Sequence, residues 1–441
     1  MDRVLIIGGG LTGLVTAYRL AQAGQAVTVV EASESVGGLA GSFAMAGEPL
    51  EQAYHHLFKS DEAILGLVAE LGLEENMEWL ESSVGLYRDG KVWPFMTPLD
   101  LLRFQPCSLA GRVRIGVVSL YIKLTQSWRK LADVTALEWM RKWCGESAVK
   151  TVWGPLLFGK FATHAPTISM AWLWARLNIR TNSKQKGESK ELLGYVRGGF
   201  HLIVEALERE ILKHGGEVIT GTRAMGLEKT PRGYACMVGE ERVECERVVF
   251  TGSNQSYLRA TQGLPLPAEY REQVAQVDYL GAVCLIFRTP QKLGDYYWTN
   301  VNEDGAPFLV FIRHTKLVEA ERYGGDEVYY IGAYCDLEQG LFLQPKEEIR
   351  AEWFRYLQQL YPEFQPELVE EESVFKFRDA QHVVRCGYEE SIVEYASPLE
   401  GLYLANFTQI YPEDRGTNFA VAEGEKVAER VLSGEFKESG H

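Results

Sequence analysis

Three glycines and a carboxylate near the start of the chain have the spacing of a phosphate-binding device. Gly8, Gly10 and Gly13 follow an apolar run at residues 4–7, and Glu31 follows a second run at 27–30. Each residue type has a physical task. Gly8 permits a tight turn out of a strand, and Gly10 has no side chain to keep a pyrophosphate from the backbone. Gly13 lets the next helix pack close to the sheet. That helix begins around Leu11 and Thr12, and its free N–H groups favour phosphate charge. Glu31, with Ala32 beside it, stands where a carboxylate can accept hydrogen bonds from ribose hydroxyls.

Other residues have types suited to proton or anion chemistry. His55 and His56 are adjacent, and either can shuttle a proton or hydrogen-bond a cofactor. If they continue a strand they point to opposite faces, so one of them reaches a pocket. Asp414-Arg415 is either a surface ion pair or a device for a substrate anion or a reduced cofactor. Arg176, Arg180, Lys184, Lys186 and Lys190, with Arg197 close after, form a basic run in an acidic chain. The run reads either as a solvated loop or as a ligand for an anionic substrate. Trp93, Phe95, Tyr296, Tyr297, Trp298 and Tyr411 are candidates either for an apolar cage or for ordinary core.

These residues need elements to hold them. Residues 4–7 suit a strand buried on both faces. Residues 14–23 have helical spacing ending at Gly24, a good helix stop. Helices are expected at 99–104, 109–132, 136–144 and 147–158. Strands are expected at 282–288, 308–314 and 328–333, and a helix at 346–361 between Pro345 and Pro362.

Further motifs carry a family resemblance. Glu34-Ser35-Val36-Gly37-Gly38-Leu39-Ala40-Gly41-Ser42 holds a second glycine pair. Leu50-Glu51-Gln52-Ala53-Tyr54-His55-His56 follows it. Far along the chain stand Tyr195-Val196-Arg197-Gly198-Gly199-Phe200, an amphipathic stretch to Leu212, and Gly215-Gly216-Glu217-Val218-Ile219. Together they resemble the superfamily of flavin-dependent amine oxidases, protoporphyrinogen oxidases and phytoene desaturases. The resemblance implies FAD as cofactor. Gly37, Gly38, Leu39 and Ala40 would extend the pyrophosphate site. The distant segment, through Ala224, would cover the adenine. Near the C-terminus, residues 399–406 look like the family's last strand, ending at Asn406. Residues 415–424 look like its closing helix, whose start at Thr417 and Asn418 would point at the flavin. The chain departs from the family pattern at Asn406-Phe407, where Gly-Asp is usual, and at Glu51 and Ala53, where Asp and Gly are usual.

The implied fold is α/β, a Rossmann-like FAD-binding domain interleaved with an α+β substrate domain. Residues 1–95, 195–260 and 385–441 would form the FAD-binding domain. Residues 96–194 would be a helical insertion and 261–384 a strand-rich one. The implied activity is hydride transfer from a C–H or C–N bond of a small molecule to flavin N5, with His55, His56, Tyr411 and Arg415 as candidate catalytic residues. A shorter resemblance, in Leu39, His55-His56-Leu57-Phe58 and Trp93-Pro94-Phe95, is to UDP-galactopyranose mutases. It implies a competing mechanism on a nucleotide-sugar without net redox. A flavin-binding module without catalysis is a third class, which the large insertions argue against.

Composition narrows the partners. The chain has 441 residues, 46% hydrophobic, and a net charge of −15, which argues against nucleic-acid binding. Seven cysteines without a C-x-x-C pair suit a reducing compartment, and eight histidines without ligand spacing give no reason to expect a metal. No signal peptide is evident, so a cytoplasmic location is expected. Residues 115–122 are apolar and flanked by Arg112, Arg114, Lys123, Arg129 and Lys130. That segment either packs within the substrate domain or rests on a membrane surface. Oligomeric state leaves no trace in the sequence.

Overall fold

The computed structural model describes residues 3–125, 127–182 and 191–434. A five-stranded parallel sheet forms one side of the molecule. Its order is Leu402–Leu404, Arg247–Phe250, Arg3–Ile7, Ala26–Val30 and Glu217–Ile219. Val4, Leu5 and Ile6 in the middle strand are fully buried, as a run covered on both faces requires. The helix Leu11–Gln22 crosses from the first strand to the second and packs against the helices Thr417–Ser433 and His201–Lys213. Its contact with the C-terminal helix is close because Gly424 has no side chain. A Cβ there would lie 2.8 Å from the Thr12 carbonyl oxygen.

A seven-stranded sheet forms the second layer. Its order is Glu371–His382, Tyr279–Thr289, Glu327–Cys335, Val310–Arg313, Trp298–Val301, Val84–Arg88 and Lys91–Pro94. Alternate residues of its long strands serve different cores. Val283, Leu285 and Phe287 pack with Trp353, Phe354 and Leu357 of the helix Lys346–Leu360. Cys284 and Ile286 join the core beneath the parallel sheet. Residues 84–94 therefore pair into this sheet and not into the parallel one. The strands Trp298–Val301 and Glu371–His382 were not anticipated. The second carries charged residues that hide its alternation.

The third layer is helical: Pro98–Arg103, Leu109–Leu124, Ala136–Cys144, Gly154–Phe161 and Met170–Asn182. Two expected helices depart from their apolar patterns. The one expected over 109–132 stops at Leu124, where Thr125 turns extended (ψ 119°) and donates its hydroxyl to the Tyr121 carbonyl. The one expected over 147–158 is interrupted by a wide π-helical turn, Val149–Trp153. Pro155 lacks the N–H needed to continue the ordinary pattern, and the turn widens just ahead of it. No described helix is long and apolar enough to cross a membrane.

Candidate active site

The Gly-rich turn shapes one cavity of about 310 Å³. Gly8 has φ +118°, and a Cβ there would meet the Thr251 hydroxyl at 2.6 Å. At Gly13 a Cβ would fall 2.0 Å from the Gly8 carbonyl oxygen, so only glycine lets this helix sit on this strand. Gly10 is different. A Cβ there would meet nothing within 4 Å, because the residue opens onto the cavity with Leu11 and Thr12. The Glu31 carboxylate accepts the Gly9 N–H at 2.7 Å and the Ser33 N–H at 2.8 Å. Each oxygen keeps capacity to accept a further hydrogen bond, and the residue lines the cavity. The second glycine pair lies on the first: Gly37 N–H donates to the Gly9 carbonyl at 2.7 Å. Gly38, Leu39 and Ala40 complete that wall.

The other end of the cavity is the start of the C-terminal helix. Gly416 is its N-cap, and like Gly10 it supplies no side-chain cap. Two helix N-termini therefore meet one cavity with their first-turn N–H groups uncapped by side chains, an arrangement that favours negative charge at both ends. The shape, the open Gly10 cradle and the Glu31 carboxylate fit an extended dinucleotide such as FAD.

Not every expected contact lies in that wall. Ala32 and Ala224 stand outside it, and Gly13 is a packing residue behind it. Asn418 lines a neighbouring cavity, and its Oδ1 accepts the Ile64 N–H at 3.2 Å. Asn406 lines the dinucleotide cavity, but its side chain is committed to the protein. Its amide donates to the Gly252 carbonyl and Asn254 Oδ1, and its Oδ1 accepts from the Thr408 N–H and hydroxyl. It organises a loop where the family pattern has Gly-Asp.

A second cavity of about 430 Å³ adjoins the first, and His55, Arg415, Gly416 and Thr417 line both. His55 Nδ1 lies 2.7 Å from the Ala53 carbonyl oxygen. A carbonyl only accepts, so Nδ1 carries the proton and Nε2 offers a lone pair at the junction. His56 Nδ1 lies 3.2 Å from the Tyr297 hydroxyl. Burial, reinforced by Arg180 and Arg176, lowers the His56 pKa to about 3, so its ring is neutral at pH 7. Both histidines reach this cavity. The strand Glu48–Glu51 has ended before them, so strand alternation does not separate their side chains. Glu51 anchors the turn from within the core. Its carboxylate accepts the Tyr195 hydroxyl at 2.8 Å and the Phe200 N–H at 2.7 Å.

The second cavity holds a buried charge cluster. Lys160 Nζ lies 2.9 Å and Arg176 Nη1 3.6 Å from Asp414 Oδ2. Trp172 and Gln381 donate to the same carboxylate. Burial alone would raise the Asp414 pKa, but Lys160, Arg176 and Arg415 outweigh it and hold the carboxyl far below its ordinary range. Arg415 Nη2 donates to the Tyr334 hydroxyl at 3.0 Å, while its buried Nε finds no acceptor among the described residues. Burial likewise raises the Tyr334 pKa, and Lys160 and Arg415 pull it below the ordinary phenol value. In all, Lys160, Arg176, Arg180 and Arg415 line this cavity against Asp61 and Asp414.

Sequence reasoning missed Lys160, Tyr334 and Asp61. Lys160 left one trace, a lone cation within the apolar run from Phe158 to Phe161. Of the aromatic candidates, Phe95 and Trp298 line the second cavity. Tyr297 is buried behind His56. Tyr411 packs edge-on against Trp128 at 4.8 Å, outside both linings. Trp93 packs on Phe104, and Tyr296 covers Gly85. Arg197 is exposed and pairs with Glu78. Lys184, Lys186 and Lys190 lie outside the described residues. A larger open cleft of about 550 Å³ shares Leu309 and Tyr334 with the second cavity but none of the glycine-rich residues.

The chain is similar to known proteins along most of its length. The model of the family "Flavin containing amine oxidoreductase" matches residues 11–432. Putrescine oxidase of Kocuria rosea is 26% identical over 376 residues, covering 79% of this chain and 76% of that protein. A putative protoporphyrinogen oxidase from Exiguobacterium sp. 255-15 superposes with a TM-score of 0.77 at 16% identity, covering 98% of this chain and 99% of that one. Reduced UDP-galactopyranose mutase superposes with a TM-score of 0.75 at 14% identity, covering 100% of this chain and 97% of that one. At such identities the two structures speak for the fold alone.

Proposed function

The chain belongs to the family of flavin-containing amine oxidoreductases, and from that premise we propose that this FAD-dependent oxidoreductase oxidises a C–H or C–N bond of a small anionic molecule. Bound FAD supplies the two-electron acceptor; the chain supplies position, charge and dryness. Gly8, Gly10, Leu11, Thr12, Glu31, Gly37, Gly38, Leu39 and Ala40 would hold the adenosine and pyrophosphate. Arg415, Gly416, Thr417 and His55 would stand at the flavin end.

The observation that carries the reading is the cation excess of the second cavity. Four cationic and two acidic side chains line it. A cationic amine entering there would meet net repulsion, whereas a carboxylate would be drawn to Arg415 and Arg176. Tyr54, Phe95, Trp153, Trp172 and Trp298 give the same cavity an apolar wall that excludes water from the reacting bond. His55 Nε2 and the Tyr334 hydroxyl are among the groups that could hold or take a proton there, beside Asp61, whose pKa burial raises to about 6.

Anaerobic mixing of the holoenzyme with paired substrates tests this. An amino acid or other carboxylate should bleach the flavin faster than the matching neutral or diamine compound. A diamine that bleaches it faster than every carboxylate would overturn the anionic assignment. The same cations suit a nucleotide-sugar diphosphate, the mutase-like alternative. That reading requires turnover only with pre-reduced flavin, which then stays reduced.

A further inference from the structure

The helix Leu109–Leu124 has two apolar faces. Gly111, Ile115, Val118 and Ile122 are buried against the helical layer. Leu109, Val113, Val117, Leu120 and Leu124 are between 51% and 72% exposed. At 3.6 residues per turn these five fall within a sector of about 80°, opposite the buried set. The exposed stripe continues onto its neighbours. Leu99 and Leu102 are exposed on the adjoining helix Pro98–Arg103. On the other side exposed Tyr121 stacks on Trp139 at 6.1 Å, and Trp139 meets exposed Trp143 at 6.0 Å. So large a contiguous apolar surface calls for a partner.

The charge around it names that partner. Residues 96–144 hold eight basic and three acidic side chains, a net of +5 in a chain of net −15. Arg103, Arg114, Lys123, Arg129 and Lys130 are exposed around the stripe. A second copy would bring like charge against like charge. An anionic lipid surface complements both features, apolar stripe and basic border. At 16 residues the helix is too short to span a bilayer and suits lying in its plane. Tyr121 and Trp143, with apolar bodies and polar tips, suit the headgroup boundary.

We propose that this face is a docking surface for an anionic lipid bilayer, with the helix Leu109–Leu124 lying in the membrane interface. The assignment stands apart from the substrate reading, since none of these side chains lines the two cavities. Flotation of the holoenzyme with phosphatidylcholine vesicles, with and without phosphatidylglycerol, tests it. Binding should require phosphatidylglycerol and weaken as salt is raised. The exposed triple variant V117S/L120S/L124S should lower vesicle partitioning by about ten-fold or more, with FAD content and thermal midpoint unchanged. Charge reversal at Arg114→Glu and Lys123→Glu should abolish the preference for anionic lipid. Three results would overturn the proposal: no flotation with either vesicle, flotation indifferent to these variants, or a concentration-dependent dimer that the triple variant dissolves. The last would show that a second copy covers the face.

Discussion

Lys160 Nζ stands 2.9 Å from Asp414 Oδ2, with both side chains buried. One comes from a helix of the first insertion. The other precedes the C-terminal helix whose start closes the dinucleotide cavity. The pair therefore sets the substrate wall in register with the flavin end. Its cost in desolvation is offset by the cations around Asp414 and by hydrogen bonds from Trp172 and Gln381 to the carboxylate.

Lys160→Met should leave Asp414 buried with the longer Arg176 ion pair and the hydrogen bonds from Trp172 and Gln381. Breaking a buried pair from one side costs about 3 kcal/mol, so the urea midpoint should fall markedly. The double variant K160M/D414N removes both charges and should recover most of that loss. Equal stability of wild type and K160M would mean that the pair contributes nothing.

The two glycines of the first turn should separate folding from cofactor retention. Gly13→Ala places a methyl where the Gly8 carbonyl already stands, 2.0 Å away, so the helix must shift and soluble yield should collapse. Gly10→Val meets open space in the protein alone. Its circular dichroism should match wild type while its FAD content falls several-fold, because the side chain enters the path of the pyrophosphate. Wild-type FAD content in G10V would contradict the assigned contact.

The contrast between these glycines also marks what the sequence could reveal. Turn, strand and helix around Gly8, Gly10 and Gly13 are local, and their spacing is legible because the physics lies within about thirty residues. The second cavity is assembled from six separated stretches, bringing Lys160, Arg176, Tyr334 and Asp414 together. Arg176 and Asp414 are visible in the sequence as charges, but nothing local ties them to each other or to Lys160 and Tyr334. Tyr334 sits in a strand that is apolar and buried on both faces, so nothing in its pattern says which face meets a cation. Tyr411 misled for the complementary reason: near a recognisable motif, it packs on Trp128 instead.

Buried neutral histidines should make the fold sensitive to mild acid. Burial lowers the pKa of His56 to about 3 and of His314 and His382 to about 4. The unfolded chain takes up protons near 6.5 and the folded one does not, so stability is lost as pH falls below that value. Three such groups imply a slope of about 4 kcal/mol per pH unit between roughly 6 and 4. Guanidinium unfolding of the holoenzyme at pH 6.0 and 5.0 reads it directly. A pH-independent free energy over that interval would show that these rings are protonated in the fold.

Tyr334 offers the sharpest kinetic test. Its hydroxyl accepts from Arg415 Nη2 at 3.0 Å, and Lys160 Nζ lies 4.8 Å from its ring centre. Burial alone would push the phenol up, but Lys160 and Arg415 outweigh it and the pKa falls below 10. A hydroxyl so placed can take a proton from a substrate N–H or O–H as the neighbouring C–H bond is oxidised. The profile of kcat/KM should then rise with an alkaline limb whose apparent pKa lies below 10. Tyr334→Phe keeps the ring against Lys160 but removes that limb, and should lower kcat/KM on the order of 100-fold with FAD content intact. Arg415→Gln, which withdraws one of the cations holding the phenol down, should move the limb to higher pH. An unaltered limb in both variants would assign the proton transfer to another group of the cavity.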